Sequence, residues 1–76
     1  MNILHFLESV KKNQELIFLS NSLADFGLSP AEWQLVKEDS TSYRIANKAE
    51  PNFFFRGRTL FSRGRKKWSS IQLAGL

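Results

Sequence analysis

Hydrophobic residues in the first third of the chain recur at the spacing of a helix. Four of them, at i, i+3, i+4 and i+7, define one face of a first predicted helix: Ile3, Phe6, Leu7 and Val10. Apolar residues continue at spacings of three and four from Leu16 to Phe26, which predicts a second short helix. Gly27 follows and is expected to end that helix in a left-handed conformation. Because Ile17 and Phe18 widen the apolar face, a brief strand over residues 16–19 stays open as an alternative.

A helix start signal stands in the sequence Ser29-Pro30-Ala31-Glu32. Serine and glutamate three residues apart form a capping box, and proline is favoured at the first helical position. Trp33 and Val36 share one face of the helix that this signal would begin. The polar run from Glu38 to Ser42 ends the pattern, which therefore predicts a third short helix.

The pattern changes at Tyr43 from helical spacing to alternation. Apolar and polar residues alternate over residues 43–48, which is typical of a half-buried strand. The sequence Glu50-Pro51-Asn52 predicts a turn, and residues 53–62 predict a second strand. The sequence Arg63-Gly64-Arg65 predicts a hairpin connection to a third strand over residues 67–76, where a helix is the lesser alternative.

The second strand predicts which side chains face the core. Phe53 and Phe55 have one parity and Leu60 has the other, so a bulge at Gly57 is expected to bring Leu60 to the same side. Ile71 and Leu73 are expected to join the inner face from the third strand. The outer face is then predicted to carry two large aromatic side chains among arginines: Phe54 and Trp68.

These elements predict an α+β fold. Two or three short N-terminal helices would pack on a C-terminal three-stranded antiparallel β-meander. The 76 residues are expected to form a single small domain, helical over 1–39 and β-rich over 40–76. A hydrophobic share of 42% is ample for a core.

Charge is distributed unevenly between the two halves of the chain. The net charge is +4. Residues 1–39 carry six acidic and three basic side chains, a net charge of −3, whereas residues 40–76 carry eight basic side chains and one acidic, a net charge of +7. This split indicates that an anionic partner would bind the second half.

The chain offers little for catalysis. It has no cysteine and a single histidine, His5, so metal chelation by thiolates or by several imidazoles is not expected, and neither is a cofactor. None of the nucleophile-elbow, phosphate-loop or zinc-protease motifs is present. We expect a non-enzymatic protein. No stretch approaches the ~20 apolar residues of a membrane span, and the absence of cysteine fits a cytoplasmic setting.

The basic second half supplies the candidate binding residues. They are predicted to form one basic, aromatic-containing sheet face: Phe54, Arg56, Arg58, Arg63, Arg65, Lys66, Lys67 and Trp68. The preferred partner is an acidic protein surface. The alternative is sequence-nonspecific binding of RNA or single-stranded DNA, with phosphates on the cations and bases on the aromatics. The basic residues can also be explained without a partner, because charges at a strand edge and a hairpin tip protect against aggregation. Monomer and homodimer are equally open.

Overall fold

An antiparallel sheet forms from strands that each pair with their neighbour in the sequence. The computed structural model describes residues 14–75. Within them the strands are β1 (Trp33–Lys37), β2 (Ser42–Asn47), β3 (Phe54–Ser62) and β4 (Arg65–Gly75). Their spatial order is β1-β2-β3-β4, so the sheet is a meander whose two edges are β1 and β4.

A helix packs on one face of this sheet. Residues 14–22 are α-helical and are called α1 here, and the chain tightens into a 3₁₀ turn over Leu23–Phe26. Leu19 and Leu23 lie four residues apart on the helical face and are fully buried. The predicted second helix is therefore confirmed, and residues 16–19 are helix rather than strand. The predicted first helix, from Ile3 to Val10, lies outside the described residues.

The end of this helix has the predicted glycine signal. Gly27 has a φ of 81°, in the left-handed region that a residue without a Cβ adopts at little cost. Its N–H donates to the carbonyl of Ala24 at 3.1 Å, and the N–H of Leu28 donates to the carbonyl of Leu23 at 3.1 Å. These two bonds form a Schellman motif, which satisfies carbonyls that the helix would otherwise leave without a partner.

The core lies between α1 and the inner face of the sheet. Its centre is a cluster of three buried side chains, from the 3₁₀ turn and from two strands: Leu23, Trp33 and Ile45. Half-buried hydrophobic residues surround it: Leu28, Leu35, Phe53, Phe55, Trp68 and Ile71. The predicted α+β class is confirmed at this level. The described part contains one helix and four strands, whereas two or three helices and three strands were predicted.

The difference in strand number comes from the segment after Gly27. The predicted helix from Ser29 to Val36 is wrong. The N–H of Glu32 donates to the carbonyl of Ser29 at 3.0 Å, so Ser29-Pro30-Ala31-Glu32 is a turn with proline at its second position. The following residues form β1, which pairs with β2 from Trp33 opposite Asn47 to Lys37 opposite Tyr43.

The parity of β3 also differs from the prediction. Gly57 stays in register opposite Tyr43, and no bulge turns Leu60 inward, since its side chain is 51% exposed. The β3–β4 register shifts instead at two other places, between Phe54 and Phe55 and between Arg58 and Thr59. At the second, Arg58 pairs with Ser70 and Thr59 pairs with Trp68. Ser69 is therefore an extra residue between the two pairs, which makes a β-bulge.

The predicted hairpin between the last two strands is confirmed. Arg63 and Gly64 both have positive φ angles, 56° and 76°. Two such residues in succession make a two-residue turn of type I′, whose twist matches that of the flanking strands. Arg63 thus lies at the exposed tip of the β3–β4 hairpin.

Candidate docking face

The face of the sheet opposite α1 carries much of the positive charge. Residues that are opposite each other in neighbouring strands point to the same side, so the strand registers identify the members of this face. It is called the outer face here and comprises Gln34, Val36, Ser42, Arg44, Ala46, Phe54, Arg56, Arg58, Leu60, Ser62, Lys67, Ser70, Gln72 and Gly75. Arg65 has the same parity, but its guanidinium lies against the Phe18 ring of α1. None of the described helical or strand segments lies over it.

Two arginines face each other at the centre of the outer face. Arg44 on β2 is directly opposite Arg56 on β3. Like charges in this position are destabilising unless other groups engage them. The Arg44 guanidinium carbon lies 4.1 Å from the centre of the Phe54 ring, and the Arg56 Nε donates to the Glu38 Oε1 at 3.0 Å. The hydrogen bond to Glu38, and then its charge, raise the pKa of Arg56. Both guanidinium groups therefore have intramolecular partners.

Two further cations on this face have no such partner among residues 14–75. Arg58 lies opposite Ser42 on one side and Ser70 on the other, and Lys67 lies opposite Leu60. Both side chains are exposed, and neither forms an ion pair with another described residue. Within residues 14–75, these two charges are therefore not neutralised by an acidic side chain.

Exposed aliphatic side chains lie among the cations. Leu60 is 51% exposed and Val36 is 46% exposed. Leu60 lies two residues from Arg58 along β3 and directly opposite Lys67 on β4, so it is flanked by both of these cations. The outer face therefore combines apolar contact area with positive charge.

Phe54 is on the outer face, as predicted, but much of its ring is covered. One side carries the Arg44 guanidinium described above. Another side contacts Gly75 closely enough that a Cβ at position 75 would overlap the ring. Phe54 is therefore half-buried. Its ring packs against its neighbours on the outer face and is not fully exposed for stacking.

Two of the predicted binding residues contact α1 instead. The Lys66 Nζ lies 2.9 Å from the Glu15 Oε1 and donates to the Tyr43 hydroxyl at 3.4 Å. Burial alone would lower the pKa of Lys66, but the hydrogen bonds with Glu15 and Tyr43 outweigh it and raise the pKa. The Arg65 guanidinium carbon lies 4.5 Å from the centre of the Phe18 ring. Both side chains tie the hairpin to the helix.

Trp68 is the one predicted binding residue that belongs to the core. The prediction that it shares the outer face with Phe54 is wrong. Its Nε1 donates to the carbonyl of Leu19 at 2.9 Å, and its ring meets the Tyr43 ring edge-on at a centroid distance of 5.6 Å. The cause is the bulge at Ser69, which places Trp68 and Ile71 on the same side although they are three residues apart.

The predicted set therefore divides into three parts. Phe54, Arg56, Arg58 and Lys67 share the outer face, Arg63 occupies the hairpin tip, and the remaining three contact the helix. Residues that the prediction missed are Val36, Arg44 and Leu60. The alternation from Tyr43 onward places Arg44 on the polar side of β2, but the sequence pattern predicts Val36 in a helix and Leu60 in the core.

Comparison of the chain with protein-family models, with curated proteins and with solved structures finds no match. Within residues 14–75, no group of three or more histidine, cysteine or acidic side chains is placed to hold a metal ion. In the same part of the chain, no helix is both long enough and apolar enough to cross a bilayer.

Proposed function

We propose that this protein is a small non-enzymatic binding domain whose outer face docks an acidic segment of a partner protein. The observation that carries the proposal is the position of Leu60 between Arg58 and Lys67. An exposed aliphatic side chain between two cations that form no ion pair within residues 14–75 suits a ligand that brings an apolar group and carboxylates together. The cations steer the encounter, and burial of the aliphatic surface slows dissociation.

The same geometry favours a protein over a nucleic acid. Single-stranded RNA and DNA bind flat basic surfaces through bases that stack on exposed aromatic rings. On the outer face, the ring of Phe54 is covered by Arg44 and Gly75. The exposed apolar groups are aliphatic, at Val36 and Leu60, and they offer no stacking plane. We therefore rank the nucleic-acid alternative second.

Selection of binding peptides tests the proposal directly. A phage-displayed library of random peptides would be selected against the wild-type protein and against the double variant Arg58→Glu, Lys67→Glu. We expect the wild type to enrich peptides rich in both acidic and apolar residues. Purified peptides should lose about tenfold or more in affinity for the double variant, equivalent to about 1.4 kcal/mol or more.

The matched control is the variant Lys48→Glu. Lys48 is an exposed lysine in the β2–β3 connection, at the opposite end of the β2–β3 ladder from Arg58, so Lys48→Glu reverses a charge without touching Arg58, Leu60 or Lys67. It should retain the wild-type enrichment. Selection of no acidic peptides, or equal loss of affinity in both variants, would refute the proposal. Tighter binding of an RNA oligonucleotide than of any selected peptide, with a steep salt dependence, would establish the alternative.

A further inference from the structure

β4 leaves one of its two edges without a strand neighbour in the described part of the chain. The N–H of Asn47 donates to the carbonyl of Phe53, and the N–H of Thr59 donates to the carbonyl of Thr41, so odd-numbered residues of β3 bond to β2. The backbone N–H and C=O groups of successive residues in a strand point alternately to the two neighbouring strands. Even-numbered residues of β3 must therefore bond to β4.

The register then identifies the backbone groups at the free edge. Residues of β4 that pair with the even positions of β3 point their N–H groups inward: Arg65, Lys67, Ser70 and Gln72. The N–H and C=O groups of the residues between them point away from β3: Lys66, Trp68, Ile71 and Leu73. None of these N–H groups has a partner among residues 14–75. A strand of 11 residues with such an edge is a template for another strand.

The two sides of this edge differ in chemistry. On the outer face, Lys67 lies on β4 near the hairpin, and Arg58 lies on the adjacent strand β3. A strand added to β4 would place alternate side chains directly beside Lys67, with Arg58 one strand farther in, across Ser70. Since no described acidic residue pairs with Arg58 or Lys67, carboxylates at those positions would be complementary in charge.

On the inner side, the edge borders a groove between β4 and the helix. Three aromatic residues line it, and Asp25 is the acidic residue of its lining. The lining comprises Phe18, Ser22, Asp25, Phe26, Lys67 and Trp68. Phe26 is 49% exposed, so an apolar side chain in this groove would cover hydrophobic surface. A carboxylate there would face Asp25, which favours apolar residues on this side.

We propose that the partner binds as an extended strand on the free edge of β4, with acidic side chains on the outer side and apolar side chains toward the helix. This inference rests on the function proposed above and specifies how the partner is recognised. The backbone of β4 supplies affinity that does not depend on the partner's sequence, while the two sides of the edge select the acidic–apolar alternation. The bulge at Ser69 divides the edge, so the partner pairs with the segment from Arg65 to Trp68 next to the basic side chains.

Amide hydrogen exchange measured by NMR tests this proposal on the full chain. The probe is an extended peptide of about eight alternating glutamate and valine residues. Without peptide, the N–H groups of Lys66 and Trp68 should exchange faster than that of Lys67, which already bonds to β3. Saturation with the peptide should slow exchange at Lys66 and Trp68 by about tenfold or more and leave Lys67 nearly unchanged.

A second peptide separates backbone pairing from charge attraction. N-methylation of alternate residues along one peptide edge removes its donors there but keeps every side chain. This peptide should bind about tenfold or more weakly than the unmodified one. In the protein, Lys67→Glu should weaken binding of the unmodified peptide, and Lys48→Glu should not.

The outcomes distinguish this inference from the function on which it rests. If the peptide shifts the resonances of Arg58 and Leu60 without protecting Lys66 and Trp68, docking on the outer face survives and strand addition is overturned. Protection of Trp33, Leu35 and Lys37, the outward groups of β1, would place the strand on the wrong edge and overturn the inference as well. Protection of the β4 amides that grows with protein concentration alone would assign the edge to a second copy. Failure of this peptide beside successful selection of other acidic peptides would also overturn strand addition alone.

Discussion

The indole of Trp68 occupies the space that a side chain at Gly57 would fill. A Cβ built on Gly57 would overlap the six-membered ring of Trp68 and would lie 3.1 Å from the Ile45 Cδ1. Glycine within a strand forgoes side-chain packing, and the aromatic ring restores that packing from the neighbouring strand. The glycine in β3 is therefore required by close approach across the sheet, since its φ is not positive.

Replacement of Gly57 by alanine should destabilise the protein. The methyl group forces the Trp68 ring away from its position, and such overpacking costs about 1–3 kcal/mol. Urea unfolding monitored by circular dichroism measures the loss in the free energy of unfolding. The same substitution in a Trp68→Leu background should cost less, because the ring that it meets is gone. Equal costs in both backgrounds would contradict the proposed contact.

Removal of the Glu15 carboxylate should destabilise the protein through Lys66. The Lys66 side chain is only 12% exposed, so loss of its partner leaves a largely buried cation with Tyr43 alone. We expect Glu15→Ala to lower the free energy of unfolding by about 1–3 kcal/mol. In a Lys66→Met background, the same change should have little effect. A double-mutant cycle without coupling between the two sites would show that the ion pair does not form in solution.

Asp39 should make stability depend on pH in acid. Its Oδ1 accepts from the backbone N–H of Thr41 at 2.9 Å and of Ser42 at 2.8 Å. The bond from the Thr41 N–H is the largest cause and lowers the pKa of Asp39; desolvation opposes it, and the bonds from Ser42 and from the Thr41 hydroxyl lower the pKa further. Because the folded-state pKa lies below the unfolded one, the unfolded chain takes up the proton first. The stabilisation is present above about pH 4 and is lost as the pH falls through the folded-state pKa.

The measurement is the free energy of unfolding at about pH 7 and about pH 3 for wild type and for Asp39→Ala. The variant should be less stable at neutral pH and should lose less on acidification. Glu50→Ala is the control, since the exposed Glu50 carboxylate accepts no hydrogen bond from residues 14–75. If the free energy of unfolding of Asp39→Ala depends on pH in the same way as that of the wild type, the Asp39 hydrogen bonds do not cause the loss of stability in acid.

Leu60 should matter for binding and little for folding. Its side chain is half in solvent, whereas Ile45 is fully buried under α1. We expect Leu60→Ala to change the free energy of unfolding by less than about 0.5 kcal/mol, and Ile45→Ala to cost about 2–5 kcal/mol. Affinity for the selected acidic peptides should fall in Leu60→Ala. Retained affinity in that variant would remove Leu60 from the proposed docking face.

The pattern of the sequence predicted the helix over residues 16–26, the three strands after Tyr43 and their turns. It failed at Ser29-Pro30-Ala31-Glu32, because serine, proline and glutamate also suit a turn that leads into a strand. β1 has only five residues, so its alternation of buried and exposed positions is a weaker signal than the capping box, which predicts a helix. Pairing with β2 along the whole of that strand decided the outcome, and such tertiary pairing is not visible in local propensity.

The sequence predicted only part of the candidate docking face, again because tertiary structure determines the rest. Strand alternation placed Phe54, Arg56 and Arg58 on one side, as they are in the structure. It misplaced Trp68, because the bulge at Ser69 shifts parity in β4 and nothing in the local sequence marks it. The sequence also does not predict which cations form ion pairs with the helix. The contact of Lys66 with Glu15 depends on how α1 crosses the sheet.

The hydrogen bond from Trp68 to the carbonyl of Leu19 joins residues 49 apart in the sequence. The strands, in contrast, meet through short turns, so the sheet forms by local closure and the docking of α1 requires the largest loop to close. During synthesis the ribosome releases α1 early, while its binding surface on β4 emerges only after the other three strands. Until β4 has been synthesised, the apolar side of the helix, with Leu19 and Leu23, therefore lacks this part of its packing surface, so the helix completes its docking only after the last strand is made.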